Sequence, residues 1–157
     1  MSLPSRLRSH AVRALGLALV SAVILPGAAR AQEVHAEVTP VKMSKILTSM
    51  GIEAELSGDD ATPRFRFEHQ GYKMALFLAN KNTDAQLYIG FLDGEISDRD
   101  LNVWNRDHRF SRAYRDTDDD AVLESDIDFT GGVTEANIKA WIRLFLSSAV
   151  DYAKLVD

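Results

Sequence analysis

The sequence contains no cysteine and no surplus of positive charge, and both absences exclude classes of protein. Without cysteine the chain forms no disulfide, has no thiol nucleophile and offers no thiolate to a metal. Its 157 residues include 18 basic and 23 acidic side chains, a net charge of -5 that argues against nucleic-acid binding. With 46% hydrophobic and 26% charged residues, the composition is that of a single globular domain.

The sequence motifs of common enzymes and metal sites are also missing. It has no HExxH, GxSxG, P-loop or GxGxxG pattern. After residue 31 its histidines are His35, His69 and His108, which stand 34 and 39 residues apart rather than at zinc-ligand spacing. We therefore predict no enzyme activity, no cofactor and no metal site. A hydrolase whose two carboxylates only the fold brings together remains the least favoured alternative.

No apolar run is long enough for a stable membrane span, which needs roughly 20 residues. The first 31 residues contain four arginines and no acid, and residues 14–25 form a run of twelve uncharged side chains. Pro26 and Gly27 then break the run, and Ala29-Arg30-Ala31 supplies small residues at both positions that signal peptidase recognises. We predict that residues 1–31 are a signal peptide cleaved before Gln32. The mature protein is then periplasmic or secreted, with no stable membrane span.

The pattern of the mature chain predicts an α+β fold, an antiparallel sheet with packed helices. Residues 32–38 show no clear period and are expected to be a flexible start, and residues 39–157 form the domain. Short turns between successive strands favour antiparallel pairing. The order is α-β-β-β-(β)-α-β-β-α. Its helices begin at Thr39, Ser97 and Thr134, and its strands cover residues 52–56, 64–68, 72–79, 87–91, 111–115 and 121–129.

Three stretches carry a family resemblance: NVWN at 102–105, RFSRAY at 109–114 with the acidic turn that follows, and GGVT at 131–134. Together they resemble the YbjN-domain family of bacterial sensory transduction regulators. The resemblance implies a fold like that of type III secretion chaperones, which bind partner proteins and commonly form homodimers. It implies no enzyme activity and transfers no catalytic residues.

Trp104, Asn105 and Arg109 are candidate binding residues because they lie within the resembling stretches. A packing role is the favoured interpretation of Trp104, which has helical spacing from Leu101 and His108, and Asn105 is expected to bond the backbone of the following strand. The arginines of this region are better explained by charge pairing than by an anion site. In particular, we predict that Arg112 pairs with Glu124 across two strands.

Seven acids lie between residues 116 and 128 with no base among them. The series Asp116, Asp118, Asp120 begins like an EF-hand loop, but Ala121 and Ile127 stand where glycine and the bidentate glutamate are required. A solvated turn is therefore the favoured interpretation. A ligand or divalent-cation sensor acting through this turn is the main alternative function.

The last helix has more apolar residues than one sheet-facing stripe requires, since Leu144 and Leu155 widen its apolar arc. The surplus either packs on the other helices or forms a surface for a partner, so these two leucines complete the candidate binding residues. We predict an exported, non-catalytic domain that acts by protein binding, either chaperone-like or regulatory. The partner is an unidentified protein, with a homodimer as one form.

Overall fold

The computed structural model describes residues 33–59 and 61–156, so the predicted signal peptide and its cleavage site lie outside the described residues. Six strands form one antiparallel sheet, and two very short strands form a second. The α+β prediction is confirmed. None of the helices in these two ranges combines the length and the apolar character that crossing a membrane requires.

The main sheet has the order β2-β3-β4-β5-β7-β6, so β2 and β6 are its two edges. The chain leaves β5, forms α2, runs along the edge as β6 and returns between the two as β7. The strands are β1 Val34–His35, β2 Ala54–Ser57, β3 Arg64–His69, β4 Tyr72–Ala79, β5 Asp84–Phe91, β6 Arg112–Arg115, β7 Ala121–Asp128 and β8 Val133–Thr134, and the helices are α1 Pro40–Ser49, α2 Asp98–Asp107 and α3 Glu135–Tyr152.

Each helix begins at the hydroxyl cap that the sequence indicates. Thr39, Ser97 and Thr134 accept hydrogen bonds from the backbone N–H three residues later, which satisfies a donor that the first turn leaves free. Pro40 occupies the first helical position of α1, where its missing N–H costs nothing. These caps fix where the helices start and hence which residues face the sheet.

One face of the main sheet forms the core with the three helices. Alternate residues of β3, β4, β5 and β7 point to it because successive side chains of a strand face opposite ways. The fully buried side chains of this face include Phe65, Leu76, Leu78, Leu87 and Ile89. From α3 the apolar stripe adds Ile138, Trp141, Ile142, Phe145, Leu146, Ala149 and Tyr152. This stripe is core, whereas Leu144 is exposed on α3, and Leu155, also exposed, lies beyond the end of the helix.

The other face, here called the outer face, carries two apolar residues of β4. Ala75 and Phe77 are only half-buried there. Phe77 is shielded by Tyr88, with ring centroids 6.3 Å apart at 81°, and by the guanidinium of Arg64. Neighbouring side chains of the same face thus replace a second layer of helices.

The segment before α1 contacts the rest of the domain at two points. β1 pairs with β8, which places Val34 opposite Thr134, and Val38 is fully buried. The N–H of Val38 donates to the carbonyl of Asn82 at 2.9 Å. Two-residue strands show no period in a sequence, so this pairing could not be predicted, while the flexibility of residues 32–38 stays a prediction.

Candidate binding surface

Leu92 is the most exposed large hydrophobic side chain in the described residues, at 83%. It follows the last residue of β5 and precedes Asp93, whose φ of +57° lies in the left-handed region that non-glycine residues avoid. The N–H of Asp93 donates to the carboxylate of Asp120 at 2.8 Å. This bond ties the β5–α2 loop to the β6–β7 loop beside the exposed leucine.

A cleft of about 660 Å³ lies where these two loops meet the end of the chain. Its lining has six carboxylates against one guanidinium, and its apolar part comes from Ile96 and Leu155. The charged lining residues are Asp93, Glu95, Asp100, Arg115, Asp118, Asp119 and Asp120. The structure therefore brings Leu155, one of the predicted binding residues, together with the acidic turn.

Arg115 is held in the wall of this acidic cleft. Its guanidinium pairs with Asp98 in the first turn of α2, contacts Asp119 at 3.3 Å and donates to the carbonyl of Ile96. Because these partners already occupy it, this single cation leaves most of the acidic lining uncompensated. The cleft has the electrostatic character of a site for a positively charged group.

The acidic turn is organised by its own backbone. The carboxylate of Asp116 accepts hydrogen bonds from the N–H groups of Asp118 and Asp120, at 3.0 and 3.1 Å, and Asp119 has a φ of +68°. In residues 33–59 and 61–156, no three carboxylates or imidazoles lie close enough together to hold a metal ion. Calcium binding by the turn stays an untested alternative.

On the outer face, a mainly apolar groove of about 640 Å³ runs from Glu55 on the edge strand β2 to Leu92. Asp120 lines both this groove and the acidic cleft. Ala75 and Gly90 also line the groove. A Cβ at residue 90 would lie only 2.9 Å from the hydroxyl of Tyr88. The missing side chain at Gly90 thus lets the tyrosine ring fold over the strand.

Glu124 is buried on the outer face, at 2% exposure, although it is ionisable. It stands opposite Arg112 in the register of β6 and β7 and forms a salt bridge with it, so the predicted cross-strand pair is confirmed. The hydroxyl of Tyr114 donates to the second carboxylate oxygen at 2.8 Å. Burial, and then this hydrogen bond, raise the pKa of Tyr114 above its ordinary value. Arg112 and Tyr114 thus cover the carboxylate of Glu124 on the outer face beside β6.

Other carboxyls have lowered pKa values for local reasons. The side chain of Lys139 lowers the pKa of Glu135, that of Lys154 lowers the pKa of Asp151, and Arg106 lowers the pKa of Asp107. A lowered pKa keeps a carboxylate ionised, whereas a glycosidase acid needs a raised one. These three groups therefore give no support to the hydrolase alternative.

Trp104 lies in the core, with 1% of its surface exposed. Its ring stacks on His108 at 3.7 Å and meets Tyr152 edge-on at 5.1 Å, and its N–H donates to the hydroxyl of Ser111. The structure accounts for Trp104 by packing, as the sequence favoured, and a direct binding role stays a prediction.

Asn105 bonds the backbone of β6, as its position suggested. Its side-chain NH₂ donates to the carbonyl of Ala113 at 2.8 Å, and its side-chain oxygen accepts from the N–H of the same residue at 2.9 Å. A neighbouring strand would make this same pair of bonds. Asn105 therefore covers part of the β6 edge.

The remaining predicted binding residues, Arg109 and Leu144, are exposed but do not line the acidic cleft or the groove. The predicted strand ended at residue 91, but Leu92 was not singled out, because alternation within a strand does not indicate how exposed the residue after it is. The signal available was the Asp-Gly turn directly after Leu92, which places it in the loop that follows the strand.

The described residues form a small α+β domain that carries an acidic cleft and an outer-face groove. Residues 39–157 match the YbjN family, described as "Putative bacterial sensory transduction regulator". The chain belongs to this family, which confirms the prediction, and the description names a regulator rather than an enzyme. No curated protein and no solved structure gives a significant match. The likeness to type III secretion chaperones therefore stays a prediction.

Proposed function

We propose that this protein is an exported regulatory domain that binds a partner protein through the surface around Leu92. The observation that carries the proposal is the position of Leu92, 83% exposed, on the loop between the acidic cleft and the outer-face groove. Burying a leucine side chain contributes about 1.5–3 kcal/mol, so a partner that covers Leu92 gains a central anchor.

The charge of the surface indicates the chemistry of the partner. The acidic cleft has a surplus of carboxylates and offers Leu155 as an apolar contact. A segment that combines lysine or arginine with apolar side chains fits it best, and its association should weaken as salt screens the charges. A second copy of this chain would bring two acidic surfaces together and fits less well.

Export is part of the proposal and is supported by the three-part pattern of residues 1–31. Cleavage before Gln32 removes four arginines and leaves 14 basic against 23 acidic side chains. The mature protein is then more acidic than its precursor. The mass of the protein isolated from its native host tests this step, and a chain that retains Met1 would contradict it.

Site-specific photo-crosslinking in living cells of the native host tests the binding surface. A photoreactive phenylalanine replaces Leu92 in one variant and Val41 in the matched control, since Val41 is also apolar and is 67% exposed on α1. We expect one discrete adduct at position 92 that a Leu155→Asp substitution reduces. No adduct at 92, or the same adduct at both positions, would contradict the proposal. An adduct with the mass of a dimer would show that a second copy of this chain, and not another protein, covers Leu92.

A further inference from the structure

The two edges of the main sheet differ in how their backbone hydrogen-bonding groups are used. At β6, the side chain of Asn105 takes both the N–H and the carbonyl of Ala113. At β2, the side to which each residue turns its N–H and carbonyl follows from the hydrogen bonds between β3 and β4. The N–H of Leu78 donates to the carbonyl of Pro63, and in antiparallel pairs hydrogen-bonded positions alternate with non-bonded ones.

That alternation assigns the backbone groups of β2. Phe65 and Phe67 bond β4, so Arg64 and Arg66 turn their backbone groups towards β2. Their partners there are Ser57 and Glu55. Ala54 and Leu56 therefore present their N–H and carbonyl groups outward, and in the described part of the chain no group bonds them.

The side chains of β2 define what could pair with this open edge. Leu56 is 53% exposed and stands on the core side of the sheet, opposite Phe65, as does Ala54 opposite Phe67. Between them Glu55 stands on the outer face, opposite Arg66. An added strand would place apolar side chains beside Ala54 and Leu56 and a cation beside Glu55.

A second copy of β2 fits this edge poorly. The two-fold antiparallel register that bonds Ala54 to Leu56 of the other copy places Glu55 opposite its own counterpart at a non-hydrogen-bonded position. Side chains are closest at such positions, and like charges directly opposite destabilise the pair. Centring the pair on Ala54 instead places Glu53 opposite Glu55, again two acids, and centring it on Leu56 pairs Ala54 with Gly58, whose φ of +91° is not that of a strand.

From these observations we propose that β2 binds an extended segment of another protein by strand addition, and that this segment alternates apolar and basic side chains. Backbone hydrogen bonds to Ala54 and Leu56 would supply the affinity, and the pairing of a lysine or arginine with Glu55 would supply the specificity. The proposal concerns a different surface from the acidic cleft and does not depend on it.

The test uses the isotope-labelled full chain and two capped peptides, Thr-Val-Lys-Val-Thr and its control Thr-Val-Glu-Val-Thr. We expect the lysine peptide to shift the amide resonances of Ala54 and Leu56 and to slow their hydrogen exchange. Glu55→Lys should reverse the preference, by about three- to fivefold in affinity for one cross-strand charge pair. Leu56→Pro, which removes the outward N–H together with the leucine side chain, should abolish binding, whereas Leu56→Ala, which keeps the N–H, should retain most of it.

Two results would overturn the proposal. One is the absence of any change at Ala54 and Leu56 at millimolar peptide, and the other is a shift confined to residues 93–97 and 116–120, which would place the peptide in the acidic cleft. A concentration-dependent shift at Ala54 and Leu56 without peptide would show that a second copy occupies the edge instead. Failure here leaves the crosslink at Leu92 unaffected, so the two proposals are tested separately.

Discussion

The β6 and β2 edges solve the problem of an exposed strand in opposite ways. At β6 the helix α2 packs alongside and lends the side chain of Asn105 to Ala113, so part of this edge is closed from within the chain. At β2 only charge discourages pairing, through Glu53 and Glu55, while the outward groups of Ala54 and Leu56 remain available. Both are recognised ways to prevent unwanted pairing, but only the first occupies backbone N–H and carbonyl groups of the edge strand.

The difference shows that two edge strands of the same length can differ in their capacity to bind another strand. β2 and β6 both contain four residues, and both pair with one neighbour. The capacity to bind another strand depends on what lies outside the edge rather than on the strand itself. Substitutions in α2, β6 and the adjoining core therefore either open the β6 edge or measure how firmly α2 and β6 are held.

The largest effect is expected from Trp104→Ala. Trp104 anchors α2 against the core, and removing a buried tryptophan side chain costs about 3–5 kcal/mol in the free energy of unfolding. Urea unfolding followed by far-UV circular dichroism measures it. Val41→Ala, an exposed control, should change stability by less than about 0.5 kcal/mol. A loss below about 1 kcal/mol for Trp104→Ala would contradict the packing role.

Asn105→Ala is expected to open the β6 edge. Two hydrogen bonds to Ala113 are lost, at about 0.5–1.5 kcal/mol each, and alanine returns part of this through its higher helix propensity. We expect a net loss of about 1–2 kcal/mol, together with concentration-dependent association in sedimentation experiments. If the variant remained as stable and as monomeric as the wild type, Asn105 would not be what closes the edge.

Arg112→Met compares a half-buried ion pair with an exposed one. Arg112 pairs with the buried Glu124, whereas Arg106 pairs with Asp107 and both of those side chains are exposed. Because Arg112 is itself largely solvent-exposed, the expected loss is only about 1 kcal/mol. Arg106→Met should leave the free energy of unfolding almost unchanged, because water screens both of these charges. Equal losses in urea unfolding would show that the burial of Glu124 does not strengthen its pair.

The smallest effect at neutral pH is expected from Tyr152→Phe, since the buried hydroxyl of Tyr152 has no hydrogen-bond partner among the described residues. Burial raises the pKa of Tyr152 to about 12. The folded state thus keeps this proton where the unfolded state, with a pKa near 10, loses it, so stability falls as pH rises from about 10 to 12. The variant should lack the share of this fall in the free energy of unfolding that comes from Tyr152. An identical pH dependence in both proteins would contradict the raised pKa of Tyr152.

Much of the fold follows from local patterns in the sequence. The hydroxyl caps, the alternation in β3 and β4 and the acidic hairpin turn depend on neighbours along the chain, so they could be predicted. The Arg112–Glu124 pair could also be predicted, because a hairpin fixes its own register. The pairing of β1 with β8 and the burial of Val38 join distant segments and leave no local signal.

The binding surface was harder to predict, for a physical reason. The acidic turn and Leu155 were recognised separately, but their meeting in one cleft depends on how the β5–α2 loop crosses the end of the sheet. Leu92 was missed because its exposure comes from the left-handed backbone of Asp93, which is held by a carboxylate 27 positions away. The closure of one edge and the openness of the other likewise depend on strand order.

Amide hydrogen exchange of the full chain, resolved residue by residue, tests the contrast between the edges most directly. We expect the amide of Ala113 to exchange slowly because its N–H donates to the side chain of Asn105, and the amides of Ala54 and Leu56 to exchange orders of magnitude faster. In Asn105→Ala, the amide of Ala113 should become as fast as those of β2. Equal protection of Ala113, Ala54 and Leu56 in the wild-type protein would contradict the account.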